Sequence, residues 1–193
     1  MGKPTVNRRL AAILAADVAG YSRLIESDEA GTLAALRDRR KIFLNPTVAR
    51  HHGRLVKVMG DGVLIEFGSA VNAVACAVVL QKQFAAANAG LAEDRRIVLR
   101  MGVNLGDVVV EGSDLYGDGV IIAVRLQAMA EPGGICVSGS VHEQVAGKLD
   151  AVFDDLGQRE LKNSANPCGF TGSGPAAMPR RRARPRRRPT RRR

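Results

Sequence analysis

Aromatic side chains are scarce in this sequence of 193 residues. Phe, Tyr and Trp together make up 4% of the chain, and Trp is absent. Stacking a ligand between aromatic rings is therefore a disfavoured mode of binding, and small and branched aliphatic residues must fill the core. The hydrophobic fraction of 46% is typical of a globular protein, and the length suits one domain rather than two.

Cysteines and long apolar runs are also few. The three cysteines, Cys76, Cys136 and Cys168, are odd in number and form no CxxC pair. This pattern favours a reducing compartment over a disulfide framework. No apolar run approaches the ~18 residues that a membrane span needs. We therefore expect a cytoplasmic domain without a membrane span.

Acidic residues are missing from the end of the chain. Residues 180–193 contain ten arginines, and without them the formal net charge of +10 falls to zero. Residues 164–179 are rich in Gly, Ser, Pro and Ala. This composition predicts a folded domain over residues 1–163 and a disordered tail over residues 164–193. Two interpretations of the tail stay open: a solvated segment, or a weak binder of nucleic acid or anionic surfaces.

The folded part shows a regular order of predicted elements. In chain order, the pattern predicts an apolar strand ending at Asp17, a helix over 28–50, a hairpin around Asp61, an alanine-rich helix over 69–88, a strand pair about Gly106, a helix over 117–129 and a short strand over 135–137. Such an order indicates an α+β sandwich, with a largely antiparallel sheet and helices on one face.

Two carboxylates stand where predicted strands meet solvent. Asp17 ends the first strand and Asp61 lies at the hairpin tip. Each has a plain structural explanation, because Asp61 suits a turn and Asp17 can cap the following helix. If their strands are neighbours, both carboxylates meet at one edge of the sheet. With the backbone amides of Val18, Ala19, Gly20, Tyr21 and Ser22, they would suit Mg²⁺ and a triphosphate.

Four segments, LAADVAGYSRL, GRLVKVMGDGVLIEF, LRMGVNLGDVV and DLYGDGVIIAVRL, resemble the class III adenylyl/guanylyl cyclase family in order and spacing. The resemblance covers about residues 9–163. It implies a ferredoxin-like sandwich that converts ATP to cyclic AMP and pyrophosphate as a head-to-tail homodimer. It also implies composite sites, with the metal carboxylates from one subunit and the base-reading pair and an arginine from the other.

The resemblance assigns roles to individual residues. Asp17 and Asp61 match the carboxylates that hold two Mg²⁺ or Mn²⁺ ions, and Arg125 matches the arginine that stabilises charge on the α-phosphate. Lys57 and Asp114 match the pair of residues that reads adenine in the family. A lysine donor and a carboxylate acceptor complement the N1 and 6-amino edge of adenine, so this pair favours ATP over GTP. Lys162 matches a lysine near the C-terminal end of the family's domain that contacts phosphate.

Two departures from the family pattern stand out. Ile121 occupies the position of an asparagine that positions the ribose, and isoleucine forms no side-chain hydrogen bond. Losing one such contact costs roughly 10–1000-fold in rate. The chain after Asn163 lacks the family's further apolar strand. These departures leave an alternative open: a catalytically impaired homologue that acts as a nucleotide-binding regulatory or dimerisation module.

Overall fold

A computed structural model of the chain describes residues 8–149, 154–159 and 168–173, the last two ranges as backbone. The strands of its sheet are β1 Arg8–Val18, β2 Gly53–Met59, β3 Gly62–Phe67, β4 Leu99–Glu111, β5 Asp114–Tyr116, β6 Ile135–Ser138, β7 Asp154–Arg159 and β8 Cys168–Ser173. They are ordered β2-β3-β1-β4-β6-β8-β7, with β5 paired to β4. Among the described strands, only the β4–β6 pair is parallel. The predicted α+β fold with a largely antiparallel sheet is confirmed.

The described helices are α1 Tyr21–Ser27, α2 Glu29–Arg39, α3 Asn45–Arg50, α4 Ala70–Ala87, α5 Asp118–Met129 and α6 Gly139–Val145. Asp28 caps α2 as predicted, since its side chain accepts a hydrogen bond from the Gly31 amide at 2.9 Å. The helix expected over 28–50 is confirmed in extent, but a π-helical turn that was not predicted, Arg40–Leu44, interrupts its α-helical pattern between α2 and α3. Pro46 explains the interruption: it has no N–H to donate, and its ring crowds the carbonyl of Ile42.

Alternate side chains of β1 point to opposite faces of the sheet. Ala12, Leu14 and Ala16 join the apolar cluster formed with α1–α4 and α6, and we call this side the helical face. Ala11, Ile13 and Ala15 pack instead with residues that include Ala123 of α5, and we call this side the α5 face. The expectation that helices cover one face only is therefore wrong.

Helix α5 lies unusually close to β4 because Gly102 has no side chain. A Cβ atom at Gly102 would stand 2.2 Å from the backbone nitrogen of Gln127 and 2.3 Å from the carbonyl oxygen of Ala123. Both atoms belong to the backbone of α5, so neither can move aside on its own. The glycine thus sets the position of the helix that carries Arg125.

One strand differs from its predicted extent, and another lies where no strand was predicted. β4 is one continuous strand of 13 residues rather than a pair about Gly106. Strand β8 lies within the segment predicted to be a tail, and it pairs with β6 from Ile135↔Ser173 to Ser138↔Phe170. The sheet therefore continues past the predicted domain boundary at residue 163.

Helix α4 has the length and composition of a membrane span. Its 18 residues have a mean hydropathy of 1.3, so the expectation that no apolar stretch reaches this length is wrong. A core helix of a globular domain passes the same test. Ala73, Val74, Ala77 and Leu80 are completely buried against the helical face, as the packing of a core helix requires.

Candidate functional site

The ends of β1 and the β2–β3 hairpin bring the two candidate metal carboxylates together. Asp17 is the penultimate residue of β1, and Asp61 lies in the turn between β2 and β3. The Oδ2 atom of Asp61 accepts a hydrogen bond from the backbone nitrogen of Val18 at 3.2 Å. Because β3 pairs with β1, the hairpin tip meets the end of β1, which is the neighbourhood that the sequence predicts.

Arg100 neutralises the Asp17 carboxylate. The two residues stand directly opposite each other in the β1–β4 register. Arg100 donates from Nε to Oδ1 at 3.0 Å and from Nη2 to Oδ2 at 2.6 Å, which is a bidentate pair. The hydrogen bond with Asp17 raises the pKa of Arg100, and the charges of Asp17 and Asp61 add to that rise. Arg100 was not predicted from the sequence, because only the strand register places it opposite Asp17.

A second guanidinium stands on the Asp61 side of the site. Arg40, in the π-helical turn, donates a hydrogen bond to the carbonyl oxygen of Gly60. Burial lowers the pKa of Arg40, while the charges of Tyr21 and Asp61 act to raise it. Two arginines thus flank two carboxylates. Guanidinium groups match phosphate oxygens in geometry and charge, so this end of the sheet has donors for a polyphosphate as well as ligands for cations.

The segment after Asp17 forms a tight turn into α1. Gly20 adopts a left-handed conformation with φ 69°, and α1 begins at Tyr21. The Val18 amide donates to Asp61 and the Ala19 amide donates to the Val98 carbonyl at 2.8 Å, so both are used within the chain. The amides that open a helix lack an intrahelical acceptor. Contacts of a triphosphate with Gly20, Tyr21 and Ser22 stay a prediction.

The two residues predicted to read a base are in contact. The Nζ atom of Lys57 lies 3.3 Å from Oδ2 of Asp114, and the Tyr116 hydroxyl donates to the same oxygen at 3.3 Å. The Lys57 and Asp114 side chains are 48% and 33% exposed, so a ligand can reach both. The contribution of Tyr116 was not predicted from the sequence.

A β-bulge turns Lys57 towards Asp114. The register of β2 and β3 shifts between Leu55 and Lys57, so that Leu55 opposes Ile65 and Lys57 opposes Leu64. Ile65 belongs to the helical face and Leu64 to the α5 face. Without the bulge, Leu55 and Lys57 would share a face, since alternate residues of a regular strand do.

The remaining predicted residues belong to α5 or lie outside the described part of the chain. Arg125 is half-buried on α5, and no hydrogen bond or ion pair joins it to Asp17 or Asp61 within residues 8–149. Ile121, one turn earlier on the same helix, is 47% exposed. Lys162 lies outside the described residues, and its assignment stays a prediction.

Comparison with known proteins identifies the family. The family model described as "Adenylate and Guanylate cyclase catalytic domain" matches residues 7–172 of this chain. The chain therefore belongs to the adenylate and guanylate cyclase catalytic-domain family, as the four sequence segments indicated. Proteins of this family generally use divalent metal ions.

Individual relatives agree with this assignment. The chain is 58% identical over 167 residues to "Putative adenylate cyclase 3" of Rhizobium meliloti, and 31% identical over 146 residues to "Adenylate cyclase" of Streptomyces coelicolor. These matches cover 86% and 76% of this chain, but only 28% and 36% of the relatives' own lengths.

Solved structures show the same fold. A crystal structure described as an adenylate/guanylate cyclase/hydrolase from Silicibacter pomeroyi superimposes with a TM-score of 0.83 at 40% identity, covering 89% of this chain and 99% of that one. The adenylyl cyclase CyaB from P. aeruginosa superimposes with a TM-score of 0.76 at 22% identity, covering 91% and 97%. The second match supports the class III cyclase fold alone.

Proposed function

We propose that this chain is an adenylyl cyclase catalytic domain that converts ATP to cyclic AMP and pyrophosphate. The observation that carries the choice of ATP over GTP is the contact between Lys57 and Asp114. The lysine offers a donor for N1 of adenine, and the carboxylate accepts from the 6-amino group. Guanine presents the opposite pattern at these positions, with a donor at N1 and an acceptor at O6. A base that binds here replaces the contact between the two side chains.

The donor set fits a pair of Mg²⁺ or Mn²⁺ ions. No group of three or more His, Cys, Asp or Glu residues capable of holding a metal occurs among the described residues. Asp17 and Asp61 alone suit Mg²⁺, which takes one or two carboxylates and completes its shell with phosphate oxygens and water. When bound, such ions would acidify the ribose 3′-hydroxyl and neutralise the triphosphate. Asp17 can bind an ion either beside Arg100, through its remaining lone pairs, or after Arg100 has released it, in which case the guanidinium can pair with a phosphate.

We further propose that the active enzyme is a homodimer with composite sites. Arg125 forms no hydrogen bond or ion pair with Asp17 or Asp61 within residues 8–149, and we infer that a second copy supplies it. Large apolar side chains are exposed around the Lys57–Asp114 pair and on α5, where a partner could cover them; they are Val58, Met59, Tyr116, Ile121 and Val124. In a symmetric dimer each chain would give its carboxylates to one site and its Arg125 to the other.

A second candidate function rests on Ile121. An exposed isoleucine stands one helical turn before Arg125, where the family resemblance implies an asparagine. A chain without that hydrogen-bonding group could bind a nucleotide and dimerise yet turn over slowly. This candidate is a catalytically impaired homologue with a regulatory or dimerising role.

Cyclic nucleotide formation separates the two candidates. We expect the unmodified chain to make cyclic AMP from ATP with Mn²⁺ and to make much less cyclic GMP from GTP. Ile121→Asn should raise the rate by about tenfold or more, and Asp61→Ala should abolish it. A folded chain that binds ATP but stays inactive, with and without Ile121→Asn, would favour the impaired homologue.

Mixing two inactive variants tests the composite sites. Asp61→Ala lacks a metal carboxylate and Arg125→Ala lacks the catalytic arginine. In an equal mixture that exchanges subunits, half of the dimers combine both variants, and each of these holds one intact site. We expect recovery of about a quarter of the unmodified activity. No recovery despite demonstrated exchange would contradict the composite arrangement.

A further inference from the structure

A buried carboxylate on the α5 face binds two arginines from neighbouring strands. Glu66 of β3 has a side chain that is only 9% exposed. Its Oε1 lies 2.6 Å from Nη2 of Arg9 on β1, and its Oε2 accepts hydrogen bonds from Nε and Nη2 of Arg54 on β2, at 3.0 and 2.8 Å. A carboxylate this buried needs such partners, because leaving a buried charge unpaired is strongly destabilising. The three residues join β2, β3 and β1 side by side.

Arg54 also contacts the turn between β4 and β5. Its Nη1 donates to the carbonyl oxygen of Ser113 at 2.9 Å. Ser113 lies in the turn between β4 and β5, directly before Asp114. Arg54 therefore connects β2, the strand that carries Lys57, with the turn that carries the other member of the pair.

Besides Arg54, the β4–β5 turn is anchored by the buried side chain of Leu115 and by the pairing of β5 with β4. Strand β5 is three residues long and forms three residue pairs with β4, outside the main path of the sheet. The Lys57–Asp114 ion pair is exposed, so it holds the turn weakly. A base bound between these side chains would also replace their contact. The Arg54–Ser113 hydrogen bond is unaffected by such a replacement, since neither group belongs to the base-reading pair.

We propose that Arg54, held in place by Glu66, is a positioning residue for base selection. It sets the distance between the Asp114 turn and Lys57 on β2, and thereby the preference for adenine over guanine. The proposal rests on the proposed function, because it takes Lys57 and Asp114 to be the groups that read the base. Arg54 itself touches neither of them.

The chemistry of arginine suits this task. A guanidinium group offers several donors in one rigid plane. Nε and Nη2 of Arg54 bind the same oxygen of Glu66, and this orientation directs Nη1 towards Ser113. A lysine at this position has a single nitrogen and no fixed plane, so Arg54→Lys should restore the preference for ATP only in part.

The chain offers a matched control for the test. Arg9 and Arg54 both pair with Glu66, and their side chains are 49% and 43% exposed. Arg54 has a hydrogen bond to the β4–β5 turn, and none is present between Arg9 and that turn within residues 8–149. Arg54→Met and Arg9→Met each remove an ion pair with Glu66, which Arg54 forms through two nitrogens and Arg9 through one. Only Arg54→Met also removes the link to Ser113.

Amide hydrogen exchange tests the link without any need for activity. We expect the amides of residues 112–116 to exchange about tenfold faster in Arg54→Met, because a hydrogen bond from a charged donor is lost. Exchange in Arg9→Met should match the unmodified chain. Unchanged exchange in Arg54→Met, or an equal increase in both variants, overturns the proposal.

Base preference is the second readout. We expect the ratio of kcat/KM for ATP to that for GTP to fall about five- to tenfold in Arg54→Met and to stay constant in Arg9→Met. If the unmodified chain makes no cyclic nucleotide, the proposed function fails. The ratio of ATP and GTP dissociation constants, measured by competition with a fluorescent ATP analogue, then replaces the kinetic ratio. The positioning role is overturned if Arg54→Met keeps the preference for ATP over GTP. It is also overturned if the unmodified chain binds neither nucleotide.

Discussion

The two faces of the central sheet differ in what they bury. On the helical face, one continuous apolar cluster joins β1, β3 and β4 to five helices. On the α5 face, two smaller apolar clusters lie under a single helix. The ion pairs Arg9–Glu66, Arg54–Glu66, Lys57–Asp114 and Arg100–Asp17 also reach this face. The same strands therefore serve two purposes, because alternate side chains point to opposite sides.

This division separates stability from chemistry. Apolar burial stabilises the fold in proportion to the area removed from water, which favours complete coverage of the helical face. Carboxylates and guanidinium groups bind ions and nucleotides only where solvent can reach them. The α5 face meets this need by pairing its charged groups with one another and, apart from Glu66, leaving them partly exposed. Substitutions on the two faces should therefore affect different properties.

The largest expected effect on activity comes from Asp17. We expect Asp17→Asn to lower cyclase activity about a thousandfold or more, since a metal ion contributes several kcal/mol to such a reaction. The free energy of unfolding should change by less than about 1 kcal/mol, because the pair with Arg100 is partly exposed. Cyclic AMP assays and denaturant titration measure the two quantities. Asp38→Asn, on exposed α2 surface, is the control and should alter neither.

On the helical face, we expect the truncation of a buried leucine to lower the free energy of unfolding, which Asp17→Asn leaves nearly unchanged. Leu14 is fully buried in β1, and Leu14→Ala should lower the free energy of unfolding by about 2–5 kcal/mol. Leu33 is 41% exposed on α2, so Leu33→Ala should change it by less than about 0.5 kcal/mol. Urea titration measures both. Similar losses in the two variants would show that the helical face is not the main source of stability.

Adding one methyl group at Gly102 tests how closely α5 must approach the sheet. Gly102→Ala should destabilise the fold by about 1–3 kcal/mol, because the new Cβ meets helix backbone. Activity should also fall, since α5 carries Arg125. Gly68→Ala is the matched control, because no atom lies within 4 Å of its Cβ position. If Gly102→Ala keeps full stability and activity, α5 can move without consequence.

The smallest expected effect concerns Cys76 at alkaline pH. Burial raises the pKa of the Cys76 thiol from 9.0 to about 12. Between these values the unfolded thiol loses its proton while the folded one keeps it, so the free energy of unfolding falls as pH rises. The fall approaches ~1.4 kcal/mol per pH unit within this window. Cys76→Ala should show a shallower decline between pH 8 and 10, measured by urea titration. Equal slopes in the two proteins would contradict this assignment.

Several elements were predictable because they depend on local sequence. The hairpin around Asp61 follows from a Gly-Asp-Gly turn between apolar runs, and the cap of α2 follows from Asp28. The continuous strand β4 and the π-helical turn were missed. Gly106 suggested a break that pairing with β1 overrides, and a helical pattern over 28–50 does not reveal how the chain accommodates Pro46.

The sequence by itself determined most of the element order and the cyclase family, and it predicts which residues bind a nucleotide and metal ions. These depend on residue types and on their spacing along the chain. Only the tertiary structure decided which residues meet. The β1–β4 register sets Arg100 against Asp17, the bulge in β2 turns Lys57 to the α5 face, and Arg54 reaches Ser113. The contacts of Arg100 and Arg54 join residues more than fifty positions apart. The orientation of Lys57 depends on a one-residue shift in strand pairing. No local sequence pattern encodes such contacts or such a shift.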